Sequence, residues 1–291
     1  MRLKSIIHVI PTLKNAGAET ILVRIVEEFH EAGIKQSVLV IKGDESDYFY
    51  PKLKEICPVL LWTKEKQKAI QLIKKQAPTA SFLAWMYGGI FFAYRLQIRY
   101  RLNAKIIWNI RQSNFRSNQI RQKILLFVFG LWSQWVTPKI IYCAYAAQKT
   151  HQNFLFSKKS NVVIQNRLAK EIDDRTLDIP KLPEHFILFV GRHDPVKGID
   201  RLFRVTTQFF SEFPKYKLVI AGSGWNNHLI PKKITDSVIL LGNVPYVNQL
   251  YQKAECYTFT SYFEGFPNVL VEAVCNGCPV VAFPARDSTS I

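Results

Sequence analysis

The sequence predicts an α/β protein made of two βαβ domains that face each other across a cleft. Three observations carry this expectation. Short apolar segments of strand length alternate with helical stretches along the whole 291 residues, the pattern of parallel sheets with right-handed crossovers. A polar stretch at 169–184, containing Asp173-Asp174, Pro180 and Pro183, separates two such series and reads as a linker. Glycine turns close several strands, and in parallel sheets the strand C-termini are where ligands sit.

In the first series, strands are expected at 5–10, 36–41, 58–62, 82–86, 105–110, 139–143 and 161–164. In the second they are expected at 186–191, 217–221, 238–241, 256–260 and 279–283. Helical patterns fall between them, for example at 19–32, 64–76, 200–212 and 247–254. The result is two Rossmann-like domains, 1–168 and 185–291, joined by 169–184. The length leaves room for a real core in each.

Charge is placed unevenly. Residues 1–150 hold 23 Lys/Arg against 9 Asp/Glu, while 151–291 hold 16 against 13, within a net charge of +17. No acidic residue occurs between Glu65 and Glu171, a span with 18 Lys/Arg. The same span carries Trp85, Tyr87, Phe91, Phe92, Tyr94, Tyr100, Trp108, Trp132 and Trp135. A basic surface with exposed aromatics suits an anionic membrane surface, a pyrophosphate-bearing lipid or nucleic acid. No nucleic-acid-reading module is recognisable, so nucleic acid is not expected as a partner.

The longest apolar run, 124–136, is interrupted by Ser133 and Gln134 and falls short of the ~20 residues a spanning helix needs. The N-terminus has too short an apolar part for a signal peptide and reads as a first strand. Five cysteines form no framework, which fits reduced cytosolic thiols. Cys275 and Cys278 have redox or metal spacing but no second pair. The six histidines share no spacing, and no metal site is expected.

The segment 261–272, Ser-Tyr-Phe-Glu-Gly-Phe-Pro-Asn-Val-Leu-Val-Glu, is the most informative in the chain. Glu264 lies in a Gly/Pro turn, and Glu272 falls eight residues later on an apolar helical stretch. Pro267 fits a first helical turn, and Asn276-Gly277 suits a left-handed cap at the other end. Backbone N–H groups at Gly265, Phe266, Pro267's neighbour Asn268 and Val269 would then point out of the helix start, as a phosphate site requires. With a carboxylate on either side, the arrangement suits a nucleotide-sugar. The alternative is a polar loop followed by a core helix that carries a glutamate.

This segment resembles the Glu-x7-Glu signature of retaining glycosyltransferases of the GT-B fold, family 4 (glycosyl transferases group 1). Gly191-Arg192-His193-Asp194-Pro195-Val196-Lys197-Gly198 is similar to the family's Gly-Arg…Lys-Gly element, although such a stretch alone is also a solvated basic turn. The resemblance implies that Arg192 and Lys197 neutralise the donor diphosphate. It places Glu264 near the transferred sugar and Glu272 on the ribose hydroxyls. Gly222 and Gly224, with Asn243 and Val244, look like the family's nucleotide loops, a weak signal because strand ends need glycine anyway.

On the acceptor side, 11–20 resembles the family's Gly-Gly-Ala-Glu loop, with Ala16 in place of the first glycine and Gly17 as the second. Glu19 there also serves as an ordinary helix-start acid. Many relatives have a histidine after the fifth strand; here Arg111 follows, to hold an anionic acceptor or the diphosphate, or to serve structurally. That absence is compatible with a front-face displacement, in which the leaving phosphate takes the acceptor proton. The family normally continues beyond Asp287, so the C-terminal domain is expected to be incomplete.

The function implied is transfer of a hexose-type sugar from a nucleoside-diphosphate sugar to a glycan or lipid-linked acceptor, in cell-surface polysaccharide or lipopolysaccharide synthesis. No cofactor and no metal are implied. The expected location is cytoplasmic, peripheral on the inner face of the membrane. The alternative is a truncated, non-catalytic GT-B remnant or partner subunit.

Overall fold

The computed structural model describes residues 5–14, 17–112, 120–136, 138–166 and 179–285. The chain divides into two compact units, Met1–Asn166 and Arg167–Ile291. Of the segment expected to join two domains, residues 169–178 lie outside the described residues.

The N-terminal unit runs β1 (Ser5–Ile10), α1 (Gly17–Glu31), β2 (Lys35–Val40), α2 (Tyr50–Ile56), β3 (Val59–Leu61), α3 (Lys66–Gln76), β4 (Ala80–Trp85), α4 (Met86–Tyr100), β5 (Lys105–Ile110), α5 (Ile120–Val136), β6 (Lys139–Tyr142), α6 (Tyr145–Gln152) and β7 (Asn161–Val163). Its strands form a seven-stranded sheet in the order β3-β2-β1-β4-β5-β6-β7. Every pairing is parallel, so helices cover both faces and central β1 is buried along its whole length. The strand order reverses between β1 and β4. Right-handed crossovers therefore put α4 and α5 on the opposite face from α1 and α2.

Two histidines inside this unit are held neutral by their surroundings. His8 bonds Gln36 Oε1 through Nε2 at 3.2 Å and accepts from Trp85 Nε1 on Nδ1 at 3.3 Å. His151 bonds the Ala147 carbonyl through Nδ1 at 2.6 Å and meets the Tyr87 hydroxyl on Nε2. One nitrogen of each ring thus faces an acceptor and the other a donor. Burial, the larger cause, lowers both pKa values to about 4.

The basic span does not display its aromatic residues as its composition suggests. Trp85 and Trp108 are fully buried, and Tyr94, Phe129 and Trp132 stack against Trp108 beneath α4 and α5. Of the nine aromatics named from that span, Phe91 and Trp135 are strongly exposed, as are Phe127 and Tyr145 elsewhere in it. The wide faces of α4 and α5 need large side chains to fill the space above β4 and β5, and the tryptophans supply them.

The C-terminal unit runs β8 (Phe186–Val190), a 3-10 turn (Pro195–Lys197), α7 (Ile199–Glu212), β9 (Lys217–Ala221), two further 3-10 turns (Asn227–Leu229 and Lys232–Ser237), β10 (Val238–Gly242), α8 (Val247–Lys253), β11 (Cys256–Phe259), α9 (Asn268–Cys275) and β12 (Val280–Ala282). Its parallel sheet has the order β10-β9-β8-β11-β12 and reverses between β8 and β11. Strand β8 shows why both faces are covered. Phe186 and Leu188 enter one hydrophobic cluster, while Ile187 and Phe189 enter the other.

Strand positions match the sequence expectation to within about two residues, the scatter usual where ladders fray. One boundary moves for a physical reason. Met86, expected to end β4, instead opens α4 with a φ of +56°, so the chain turns sharply at the point of order reversal.

Candidate active site

The C-terminal unit builds its site where its strand order reverses, from the loops that follow β8 and β11. After β8, Asp194 caps the Pro195–Lys197 turn by accepting from Val196 N at 2.9 Å. Its second carboxylate oxygen takes Arg192 Nη2 at 3.0 Å, leaving the guanidinium largely exposed. After β11, the Thr260 hydroxyl donates to the Lys197 carbonyl at 2.7 Å, and Tyr262 N donates to Val196 O at 2.9 Å. The two loops are therefore stitched backbone to backbone.

The stitch demands glycine at two positions. Gly198 has a φ of +67°, and a Cβ there would lie 2.0 Å from the Thr260 carbonyl oxygen. Gly222, at φ +141°, presses on the β8 loop, where a Cβ would lie 2.2 Å from Gly191 O. Around it, Gly191 N donates to Ala221 O, His193 N to Ser223 O and Gly222 N to Gly242 O. Trp225 closes this corner, with its indole N–H on Gly191 O at 2.8 Å and its ring edge-on to His193.

At the junction, Lys197 Nζ lies 2.8 Å from Glu264 Oε1, and the Ser261 hydroxyl donates to the same oxygen at 2.6 Å. Only 19% and 14% of the two charged side chains is exposed, so solvent screens this pair weakly. Glu272 projects from α9. Burial, then the charges of Glu264 and Glu272, push the Tyr257 hydroxyl on β11 well above its ordinary pKa, so both carboxylates act on one strand. Tyr262 bonds Asp200 and lies under the Arg201 guanidinium, 3.8 Å from ring to Cζ.

The helix start differs in detail from the sequence expectation. Pro267 is the residue before α9 rather than in its first turn. The Asn268 N–H, expected to point outward, is used by the Phe266 carbonyl at 2.9 Å, because the chain turns tightly at Pro267 before the helix begins. Pro267 is buried and Val269 packs on the core, so Gly265 and Phe266 are the parts of that segment left at the loop. At the other end, Gly277 has a φ of +73° and closes the helix as expected.

Of the outer loops, Gly224 approaches His193, Asn243 is exposed, and Val244 packs partly on the core. Two surface concavities, one lined by residues such as Leu182, Phe186 and Lys253 and one by Tyr50, Pro51 and Lys54, include none of these loops. Among the described residues no group of three metal-ligating side chains converges.

The N-terminal unit holds the remaining predicted residues. Gly17 opens α1, and Glu19 is buried and accepts from Thr12 at 3.0 Å, tying the loop after β1 to the helix. Asn15 and Ala16 lie outside the described residues, as do Ser113 and Asn114 beyond β5 and Arg167. Arg111, at the end of β5, donates to Asn166 Oδ1 and stands 5.4 Å over the Trp85 ring. Among the described residues its Nε has no hydrogen-bond partner, and burial lowers its pKa from the ordinary arginine value.

Sequence reasoning missed Ser261, Asp194, Thr260 and Trp225. Asp194-Pro195 is a turn signal that reveals the cap. Ser261 stands three residues before Glu264 in a loop, where no periodicity announces a contact.

Residues 172–289 match the family model described as glycosyl transferases group 1. A 138-residue stretch is 36% identical to an N-acetylgalactosamine-N,N'-diacetylbacillosaminyl-diphospho-undecaprenol 4-alpha-N-acetylgalactosaminyltransferase of Campylobacter jejuni, covering 45% of this chain and 36% of that protein. A 121-residue stretch is 32% identical to a poly(glycerol-phosphate) alpha-glucosyltransferase of Bacillus subtilis, covering 40% of this chain and 18% of that one. An uncharacterized glycosyltransferase of Haemophilus influenzae is 29% identical over 62% of this chain and 51% of its own length. The chain thus spans about half or less of the curated relatives it matches. The fold is shared with glycosyltransferases of the GT-B type. The Anabaena HepE structure in complex with UDP and glucose superposes with a TM-score of 0.74 at 18% identity, over 97% of this chain and 81% of that one. TarM gives 0.73 at 14% identity, over 99% and 86%.

Proposed function

We propose, from the membership of residues 172–289 in the glycosyl transferases group 1 family, that the chain transfers a hexose-type sugar from a nucleoside-diphosphate sugar. The acceptor is a glycan or a lipid-linked glycan of cell-surface polysaccharide synthesis. Support for this acceptor class comes from relatives whose names specify an undecaprenol-diphosphate glycan and a poly(glycerol-phosphate).

One observation carries the reading. Lys197, in the loop after β8, meets Glu264, in the loop after β11, at the order reversal of a single parallel sheet; Arg192 stands in the same loop as Lys197, and Glu272 on the helix that follows Glu264. Lys197 is held by Glu264 at 2.8 Å and is thereby fixed where an incoming diphosphate takes over part of its charge. Arg192, on the exposed side, offers a planar fork to the phosphate oxygens. As the bond between the anomeric carbon and the diphosphate lengthens, negative charge grows on the leaving oxygen. Fixed cations stabilise that charge without reorganising. Glu264 orients the sugar, and Glu272 takes the ribose hydroxyls.

Retention with front-face displacement is the route proposed. The departing phosphate accepts the acceptor's proton, so no side-chain base is required. The reading assigns neutralisation of the diphosphate to Arg192, Lys197 and the Gly265–Phe266 turn before α9 rather than to a resident metal ion or cofactor. Arg111, whose Nε has no partner among the described residues, is assigned to an anionic group on the acceptor. The surplus of 18 Lys/Arg without an acid between Glu65 and Glu171 supports a working position against an anionic membrane face.

The test is thermal stabilisation by a panel of nucleotide-sugars, followed by transfer assays with the stabilising donor. A donor that raises the melting temperature of wild type but not of Lys197→Ala supports the reading. Equal stabilisation of both proteins removes it.

A further inference from the structure

The outward face of α5 is apolar, and it is not a core face. On this helix Leu126, Phe129, Gly130 and Ser133 form the buried side; at Gly130 the chain comes so close that a Cβ would lie 1.7 Å from Phe154 O. Ile120, Ile124, Phe127, Val128, Leu131 and Trp135 recur at helical spacing on the opposite side and are between 43% and 88% exposed. A surface helix ordinarily places its polar residues there. Here the polar ones stand at the flanks: at 100° per residue, Arg121 and Lys123 fall on either side of the stripe. Neighbouring α4, joined to α5 through Tyr94 and Trp132 with ring centroids 4.5 Å apart, exposes Phe91 and Ile98 beside Arg95 and Arg99.

We infer that α5 is an in-plane membrane anchor, its stripe seated among the acyl chains of an anionic leaflet and its flanking cations at the headgroups. The inference rests on the membrane-facing reading proposed above and names the element that makes the contact. Charge chooses the occupant. The surface around the stripe comes from a span with 18 Lys/Arg and no acid, so a second copy of the chain would bring like charge against like. Nucleic acid offers nothing to an isoleucine, leucine and valine stripe. An anionic bilayer matches both the apolar centre and the basic rim. Among the described residues no helix is long and apolar enough to cross a membrane, and α5 lies along the interface instead. Trp135, at 88% exposure, is the ring suited to the headgroup boundary.

The experiment is sedimentation of the whole chain with phosphatidylcholine vesicles, with and without phosphatidylglycerol. Wild type, Leu131→Glu/Trp135→Glu, Arg121→Gln/Lys123→Gln and Val205→Glu, an exposed site in the other unit, are compared. Light scattering gives the oligomeric state and circular dichroism the fold. Wild type and Val205→Glu are expected on anionic vesicles, with tryptophan emission shifted to the blue. The stripe variant loses at least about tenfold in partition, and the charge variant loses several-fold with a shallower salt dependence. Wild type that ignores anionic vesicles, or a folded stripe variant that still binds them, overturns the inference. So does self-association of wild type that the stripe substitutions abolish. Nucleotide-sugar stabilisation measured on the same samples separates the two proposals, since the donor loops contain none of these residues.

Discussion

In the N-terminal unit two histidines are turned inward and held neutral, whereas in the C-terminal unit an ion pair is gathered at the strand ends. His8 on β1 and His151 on α6 lie at 0% exposure, with a donor on one nitrogen and an acceptor on the other. Lys197 and Glu264 are sheltered but face each other across two loops as ions. Both sheets are parallel and reverse their strand order once. What separates the units is therefore the chemistry installed at the reversal, and the C-terminal one has the form of a charged cradle. Residues 1–150 also carry a positive surplus, 23 Lys/Arg against 9 Asp/Glu.

The sharpest way to break this contrast is acid. Both histidines have folded pKa values of about 4, below the ordinary 6.5, so the unfolded chain binds more protons between those values. Their contribution is complete above pH 7 and is lost as pH falls through 6.5 toward 4. It is worth about 3 kcal/mol for each ring. Calorimetry from pH 7 to 4.5 is expected to lower the melting of the N-terminal unit more than that of the C-terminal unit. Parallel shifts in the two would end the distinction.

Next in size is Lys197→Ala, which is expected to cut turnover by about 10³-fold, the scale of losing one fixed donor to developing charge. The N-terminal unit should melt unchanged. Because Glu264 then loses its ion partner, melting of Lys197→Ala is read beside its turnover. Lost turnover in protein that stays folded at the assay temperature assigns the loss to chemistry.

Gly198→Ala sharpens the structural half of the comparison. A methyl 2.0 Å from the Thr260 carbonyl on a left-handed backbone is expected to cost about 3 kcal/mol, confined to the C-terminal unit. Urea unfolding monitored by proteolysis of each unit reads this directly. The smallest effect expected is from Trp225→Phe, which removes the bond to Gly191 O and about 1 kcal/mol. A several-fold weaker donor affinity with unaltered N-terminal stability is the outcome that fits.

The legibility of the site in the sequence was uneven, for reasons visible in particular residues. Glu264 and Glu272 could be picked out because a helix start signalled by Pro267 and a glycine cap at 277 fix their spacing. Ser261 and Thr260 could not, since a hydroxyl in an irregular loop has no period that reveals its partner. The aromatics between Glu65 and Glu171 suggested an exposed aromatic surface, yet Trp85 and Trp108 are core residues. Composition counts side chains without saying which face of α4 or α5 carries them.

By itself the sequence determined the alternation of strand and helix, and with it two parallel sheets, because buried central strands must be continuous apolar runs and their crossovers must be helical. It also determined the uneven placement of charge and the spacing of the two glutamates. Only the tertiary structure decided that Lys197 reaches Glu264, sixty-seven residues away, since loops after β8 and β11 become neighbours only when their strands pair. It likewise decided that an apolar stripe on α5 faces outward, because which side of a helix is inside depends on the sheet it covers.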